Sequence, residues 1–331
     1  MSIASAQTIN LSEISLHDKI AQMIIVSGNK YNEQFTEIGI GGIIITPIKE
    51  KDEQYFKELI EKYQKNSKIK LFISADMEGY WNPFEKFYQG KSFGDTKNKK
   101  EAYLLGKEHG KILKELGFNI NFSPVVEPAD RNKIWPGRSF SGTKAEINEK
   151  IRAYIEGLHE YNISATAKHY PGGSMIKNPH WRKYTTEIFP EDLEYFQTAI
   201  DAKVDAIMIG HPIVFGEVDS NGKPSTVSPE IIHNLKNNFT GLIISDAISM
   251  LGLKLSYLFK KDKMYIDLIN AGNDIIIDMP LKLIFGLTNP KEIERKIKTI
   301  EKAVKDEKIS EKRINESVKK ILKTKGYKIV E

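Results

Sequence analysis

Eight short apolar runs punctuate this chain, each separated from the next by a stretch of helical periodicity, and that alternation limits the folds open to it. The runs cover residues 22–26, 42–46, 71–76, 120–126, 164–170, 206–211, 242–246 and 274–278. Most are rich in β-branched residues and nearly continuous in apolar character. Strands look this way when helices cover both faces of a parallel sheet; a half-exposed strand would alternate. Between them lie amphipathic segments such as 52–65, 99–116, 143–160, 191–202 and 229–237. Strand alternating with helix implies βαβ units, and eight is the number that closes a (β/α)8 barrel. The expectation is therefore an α/β chain folded as a TIM-type barrel, with residues 1–331 as a single domain. A doubly wound open sheet is the alternative, but no glycine-rich phosphate loop follows the first run. Residues 290–325 are highly charged, with Ile293, Ile297, Ile300 and Val304 along one face and Ile314, Val318 and Ile321 along another. They predict a helix pair packed on the barrel.

A chain of 331 residues can bury a large core. It has no cysteine, which excludes disulfides, thiolate metal sites and a thiol nucleophile. The net charge of +5 comes from 49 basic and 44 acidic residues, interleaved rather than blocked, so no nucleic-acid partner is expected. No run approaches the roughly 18 apolar residues of a membrane span. The first ten residues lack a basic n-region and an apolar h-region. That favours the cytoplasm, although the small residues at 2–6 leave export of a processed precursor open. Histidines and carboxylates do not fall at ligand spacings such as His-Glu-x-x-His, so neither metal nor other cofactor is expected.

The polar residues cluster at the ends of the runs. The third ends at Asp76, the fifth at Lys168-His169, the sixth at His211 and the seventh at Asp246. A single aspartate at a strand end is ordinarily a helix N-cap. In a parallel barrel, however, all these ends meet at one face. Ionisable groups are costly to bury unpaired, so their convergence predicts a polar pocket where barrel enzymes place their chemistry. The expected partner is a small molecule.

At these residues the sequence resembles glycoside hydrolase family 3, from about Leu16 to Lys325. The resemblance is carried by Asp76-Met77-Glu78-Gly79, Asn121-Phe122-Ser123-Pro124-Val125-Val126-Glu127, Gly137-Arg138-Ser139-Phe140, Lys168-His169-Tyr170-Pro171-Gly172, Ser245-Asp246-Ala247-Ile248-Ser249-Met250 and Ala271-Gly272-Asn273-Asp274. Each is weak alone; their order and spacing together are specific. With no second α/β domain, the chain looks like the short β-N-acetylhexosaminidase branch. The resemblance implies a retaining mechanism through a covalent glycosyl-enzyme. Asp246 would be the nucleophile and His180, on the loop after the fifth strand, the acid/base. Asp76, Arg138, Lys168 and His169 would hold the hydroxyls of the innermost sugar, a terminal β-linked N-acetylglucosamine. An unperturbed imidazole near 6.5 suits the acid/base task.

Two departures bear on mechanism. The family pattern before the loop histidine is Asp-Ser; here it is Asn178-Pro179. An asparagine accepts a hydrogen bond but brings no charge to stabilise an imidazolium. Where many members have Gly-Arg, this chain has Tyr80-Trp81, and Trp81 is open to either stacking on a sugar or packing its own loop. Asn178, Trp81, His211 and Met250 are thus further candidates for the pocket. Three readings follow: a working β-N-acetylhexosaminidase (or β-glucosidase), a phosphorylase whose neutral loop admits phosphate, and a catalytically impaired sugar-binding homologue.

Overall fold

The computed structural model describes residues 7–48, 50–258, 260–280 and 288–330; the small-residue stretch at 2–6 lies outside them. Eight strands stand side by side in chain order and all are parallel: β1 (Ile24–Ser27), β2 (Gly42–Ile45), β3 (Phe72–Ala75), β4 (Ile120–Asn121), β5 (Ser164–Tyr170), β6 (Ala206–Ile209), β7 (Leu242–Ser245) and β8 (Ile276–Asp278). β8 pairs back onto β1, and β7 meets β8 where Ile275 N–H donates to Ile243 O and Ser245 N–H to Ile275 O. The expected (β/α)8 barrel is thus realised. β2, β3, β6 and β7 are buried at every residue, as strands covered by helices on one face and by the barrel interior on the other must be.

The strand expected over 120–126 is regular only at Ile120–Asn121. Pro124 has no N–H to give the ladder, so the run breaks there. Pairing with β5 resumes irregularly, with Thr166 N–H on Ser123 O, Lys168 N–H on Pro124 O and Val126 N–H on Lys168 O.

Helix Pro290–Lys305 follows β8 and packs against helices Leu16–Gln22 and Lys261–Ala271, which makes it the eighth helix of the ring. Its Ile293, Ile297 and Ile300 are buried, as the periodicity predicts. Helix Glu311–Thr324 lies outside the ring, and it crosses the end where strands begin. There Arg313 reaches Gly272 O, Asn273 O and Asp274, Ser317 reaches Asp274, and Lys320 reaches Gly241 O and Asp274. Lys325 then inserts its ammonium onto Gln22 and Gly41 O. The Ala271-Gly272-Asn273-Asp274 motif therefore serves the floor of the barrel.

The opposite end carries the long loops. Residues 76–98 follow β3, 122–143 follow β4, 171–184 follow β5 and 246–258 follow β7. A two-stranded parallel ribbon, Thr185–Ile188 with Ile213–Gly216, ties the loop after β5 to the chain after β6. Gly79 is needed for the first loop to fold back: its φ is +81°, and a Cβ there would lie 2.0 Å from Lys91 O.

Candidate active site

The loop after β3 is fixed from β4. The Asn121 amide takes the Met77 N–H and donates to Met77 O, and it is itself backed by the hydroxyls of Ser123 and Tyr154. Holding Met77 this way presents Asp76 and Glu78 to the strand tips. Glu78 has no exposed surface. Its carboxylate accepts a fork of two bonds from Arg138, 2.6 Å from Nε and 2.8 Å from Nη2, and Lys168 Nζ lies 2.6 Å away. Burial alone would raise this carboxyl; the guanidinium and ammonium together outweigh it and hold Glu78 below the usual carboxylate range. Lys168 also reaches Asp76 Oδ1 at 2.5 Å. Asp76 keeps 36% of its side chain in solvent, against 2% for Lys168, so it marks the mouth and Lys168 the interior.

His169 is held from the stretch after β4. Its Nδ1 lies 3.1 Å from Glu127 Oε1, which also takes the His169 backbone N–H. The other Glu127 oxygen accepts from Ser174 and Met175 N–H, so this one buried carboxylate anchors the root of the loop after β5. Burial and the nearby Asp192 carboxylate push Glu127 up to about 7, against the pull of its backbone donors. Burial first, then the Lys168 and Arg138 charges, hold His169 far below the usual imidazole range. That direction favours the neutral ring, with Nδ1 turned to Glu127.

Asp246 sits one residue past β7, with Oδ1 receiving the Ala247 N–H at 2.7 Å. The loop after β5 is stitched to this segment: Gly252 N–H donates to Pro179 O at 2.9 Å and Leu251 N–H to His180 O at 3.3 Å. That strap suspends His180 in the same electrostatic neighbourhood as Asp246, Asp76 and Arg138. Burial, aided by Arg138, lowers the imidazole below its ordinary value, while Asp246 and Asp76 pull it upward. Asn178 does not face the ring as a substitute for the missing carboxylate. Its Oδ1 accepts the backbone N–H of His180 at 3.0 Å, a local turn that sets the backbone direction. Among the described residues the ring's neighbour is Trp135, edge-on with centroids 6.3 Å apart.

The structure brings Asp76, Arg138, Lys168, His169, His180 and Asp246 together at one mouth. It places His211 beneath them with both ring nitrogens engaged, Nε2 on Ala247 O and Nδ1 beside Thr226 Oγ1. His211 therefore supports the segment carrying Asp246 and has no nitrogen free for a ligand. Met250 is buried and begins the short helix Leu251–Lys254. Trp81 lies at the rim, 40% exposed, above the Arg138 guanidinium. Glu78, Glu127 and Trp135 were not singled out by the sequence. The first two stand within recognised motifs, but their partners lie 60 and 42 residues away; Trp135 had no signal beyond its closeness to Arg138.

The comparisons bear on the family and the fold. The model for the glycosyl hydrolase family 3 N-terminal domain matches residues 15–324. A β-hexosaminidase of Haemophilus influenzae is 28% identical over 260 residues, 72% of each chain. Another, of Haemophilus ducreyi, is 26% identical over 305 residues, 82% of this chain and 87% of that one. The crystal structure of a β-N-acetylhexosaminidase from Beutenbergia cavernae superposes with a TM-score of 0.83 at 16% identity, covering 95% of this chain and 99% of that chain. An eight-stranded parallel barrel with a polar mouth at its strand tips and a family match over nearly its whole length make this chain a member of glycosyl hydrolase family 3.

Proposed function

We propose that the chain removes terminal β-linked N-acetylhexosamine residues with retention at the anomeric carbon, Asp246 attacking and His180 serving first as acid and then as base. The observation that carries this reading is the strap from Pro179 and His180 to Leu251 and Gly252, which ties the segment bearing His180 to the segment bearing Asp246. The names of the curated relatives support the substrate class.

The chemistry follows from the arrangement. Ala247 N–H fixes Asp246 Oδ1, leaving Oδ2 to bond the anomeric carbon. The glycosidic C–O bond breaks as the leaving oxygen takes a proton from the His180 imidazolium. Once Asp246 is an ester, its charge no longer raises the imidazole, so His180 is left neutral and free to accept the proton of water in the next step. It deprotonates water, which attacks the same carbon and releases Asp246. Arg138 and Lys168, held by Glu78, are rigid donors for sugar hydroxyls; Asp76 and His169 Nε2 are acceptors.

Asp246→Ala tests the assignment. Turnover of a nitrophenyl β-N-acetylglucosaminide should vanish while sugar binding persists, and a fluorinated slow substrate should leave a glycosyl adduct on the peptide containing Asp246. Full residual activity removes Asp246 from the mechanism. One observation keeps a phosphorylase as the second reading: Asn178 places no negative charge beside His180 to repel phosphate. Formation of sugar 1-phosphate on adding phosphate would select it; free sugar alone would eliminate it.

A further inference from the structure

The mouth is flanked by a continuous aromatic wall that the inner subsite does not use. Tyr80 meets Trp81 edge-on at 5.8 Å between centroids, Trp81 meets Trp135 at 6.2 Å, and Trp135 meets the His180 imidazole at 6.3 Å. The Arg138 guanidinium lies 5.4 Å from the Trp135 ring and 6.0 Å from Trp81, bracing the wall from within. Yet the wall is not core: Tyr80 is 45% and Trp81 40% exposed. Large aromatic surface left in water beside a polar site marks a place where something binds.

Its position says what. If His180 protonates the leaving oxygen, that oxygen sits at the imidazole, and whatever it is attached to departs along the rings that begin there. We propose that Trp135, Trp81 and Tyr80 form the subsite for the leaving group, and that the leaving group is a second pyranose ring. This rests on the reading of His180 and Asp246 given above. A β-linked pyranose with equatorial substituents offers a flat face of C–H bonds to the electron-rich face of an indole. The same quadrupole disfavours a free phosphate. Tyr80-Trp81 is thus the sequence device by which this chain holds the second ring.

The experiment compares two substrates that share the inner sugar. β-N-acetylglucosaminyl fluoride has no leaving ring; N,N′-diacetylchitobiose has one. In Trp81→Ala the ratio of kcat/KM for the disaccharide to that for the fluoride should fall about tenfold, and Trp81→Phe should restore most of it. A ratio within about twofold of wild type in Trp81→Ala overturns the proposal, because a ring that stacks on the leaving sugar must cost the disaccharide more than the fluoride. Wild-type enzyme that turns over the fluoride but leaves the disaccharide intact also overturns it, with the Asp246–His180 reading standing. Turnover of neither substrate, with no adduct on Asp246, removes that reading and the wall's role with it.

Discussion

His180 is the residue on which pH should act most visibly. Burial and Arg138 lower its pKa, and the loop offers an amide at Asn178 where a carboxylate would have opposed them. In the mechanism proposed above the acid step needs the imidazolium, so the alkaline limb of kcat/KM should lie on the acid side of the usual imidazole range. Asn178→Asp keeps the turn and adds a negative charge. The limb should move to higher pH; an unmoved profile would mean the residue acts on the backbone alone. Glu127 makes the second prediction at this scale. Its folded value of about 7 exceeds the ordinary 4.5. Between the two the folded state keeps a proton that the unfolded chain has released, so stability falls as pH rises through that window. Glu127→Gln should flatten that slope, by about 3 kcal/mol at most across the window, in urea midpoints taken between about pH 4.5 and pH 7. Parallel curves for the two proteins would show that Glu127 stays ionised throughout.

At the scale of elements, two segments carry separate duties. Helix Glu311–Thr324 seals the floor through Asp274, which is fully buried and accepts from Arg313 at 2.9 Å and Ser317 at 2.8 Å. Arg313→Ala strips one cation from a dry carboxylate and should destabilise the fold by about 3 kcal/mol. The signature is a lower denaturant midpoint at unchanged slope, with the kinetics of the surviving native protein untouched. The loop after β3 is the opposite case. Gly79→Ala places a Cβ against Lys91 O and must shift Glu78, hence Arg138 and Lys168. Activity should fall by on the order of 10²-fold for a smaller change in stability. Such elements were legible in part. The alternation of runs located every barrel strand, but the break at Pro124 and the place of Pro290–Lys305 in the ring depended on which neighbour each segment met.

For the molecule as a whole, closure joins the two ends of the chain. Thr8–Asn10 pairs with Lys328–Val330, and Lys325 plugs the floor beside Gln22. Its ammonium is buried, which pushes its pKa well down. We expect barrel, floor helix and mouth loops to unfold together. All three tryptophans, Trp81, Trp135 and Trp181, belong to the mouth loops, so their fluorescence reports that end alone while far-ultraviolet dichroism reports the whole. Coincident urea transitions would establish one cooperative unit; an earlier fluorescence transition would show the mouth loosening first.

The sequence by itself determined the barrel, because apolar period and strand length are local properties and eight such runs leave few ways to bury themselves. It also determined that Asp76, Lys168, His169 and Asp246 would share a rim, since parallel strands put their ends on one side. Only the tertiary structure decided the partners. Glu78 became the hub for two cations, Asn178 turned its oxygen to the backbone, and His211 gave both nitrogens to support. Each of these depends on the stagger between strands and the path of long loops, and a charge acquires its role from the neighbour it meets across that distance.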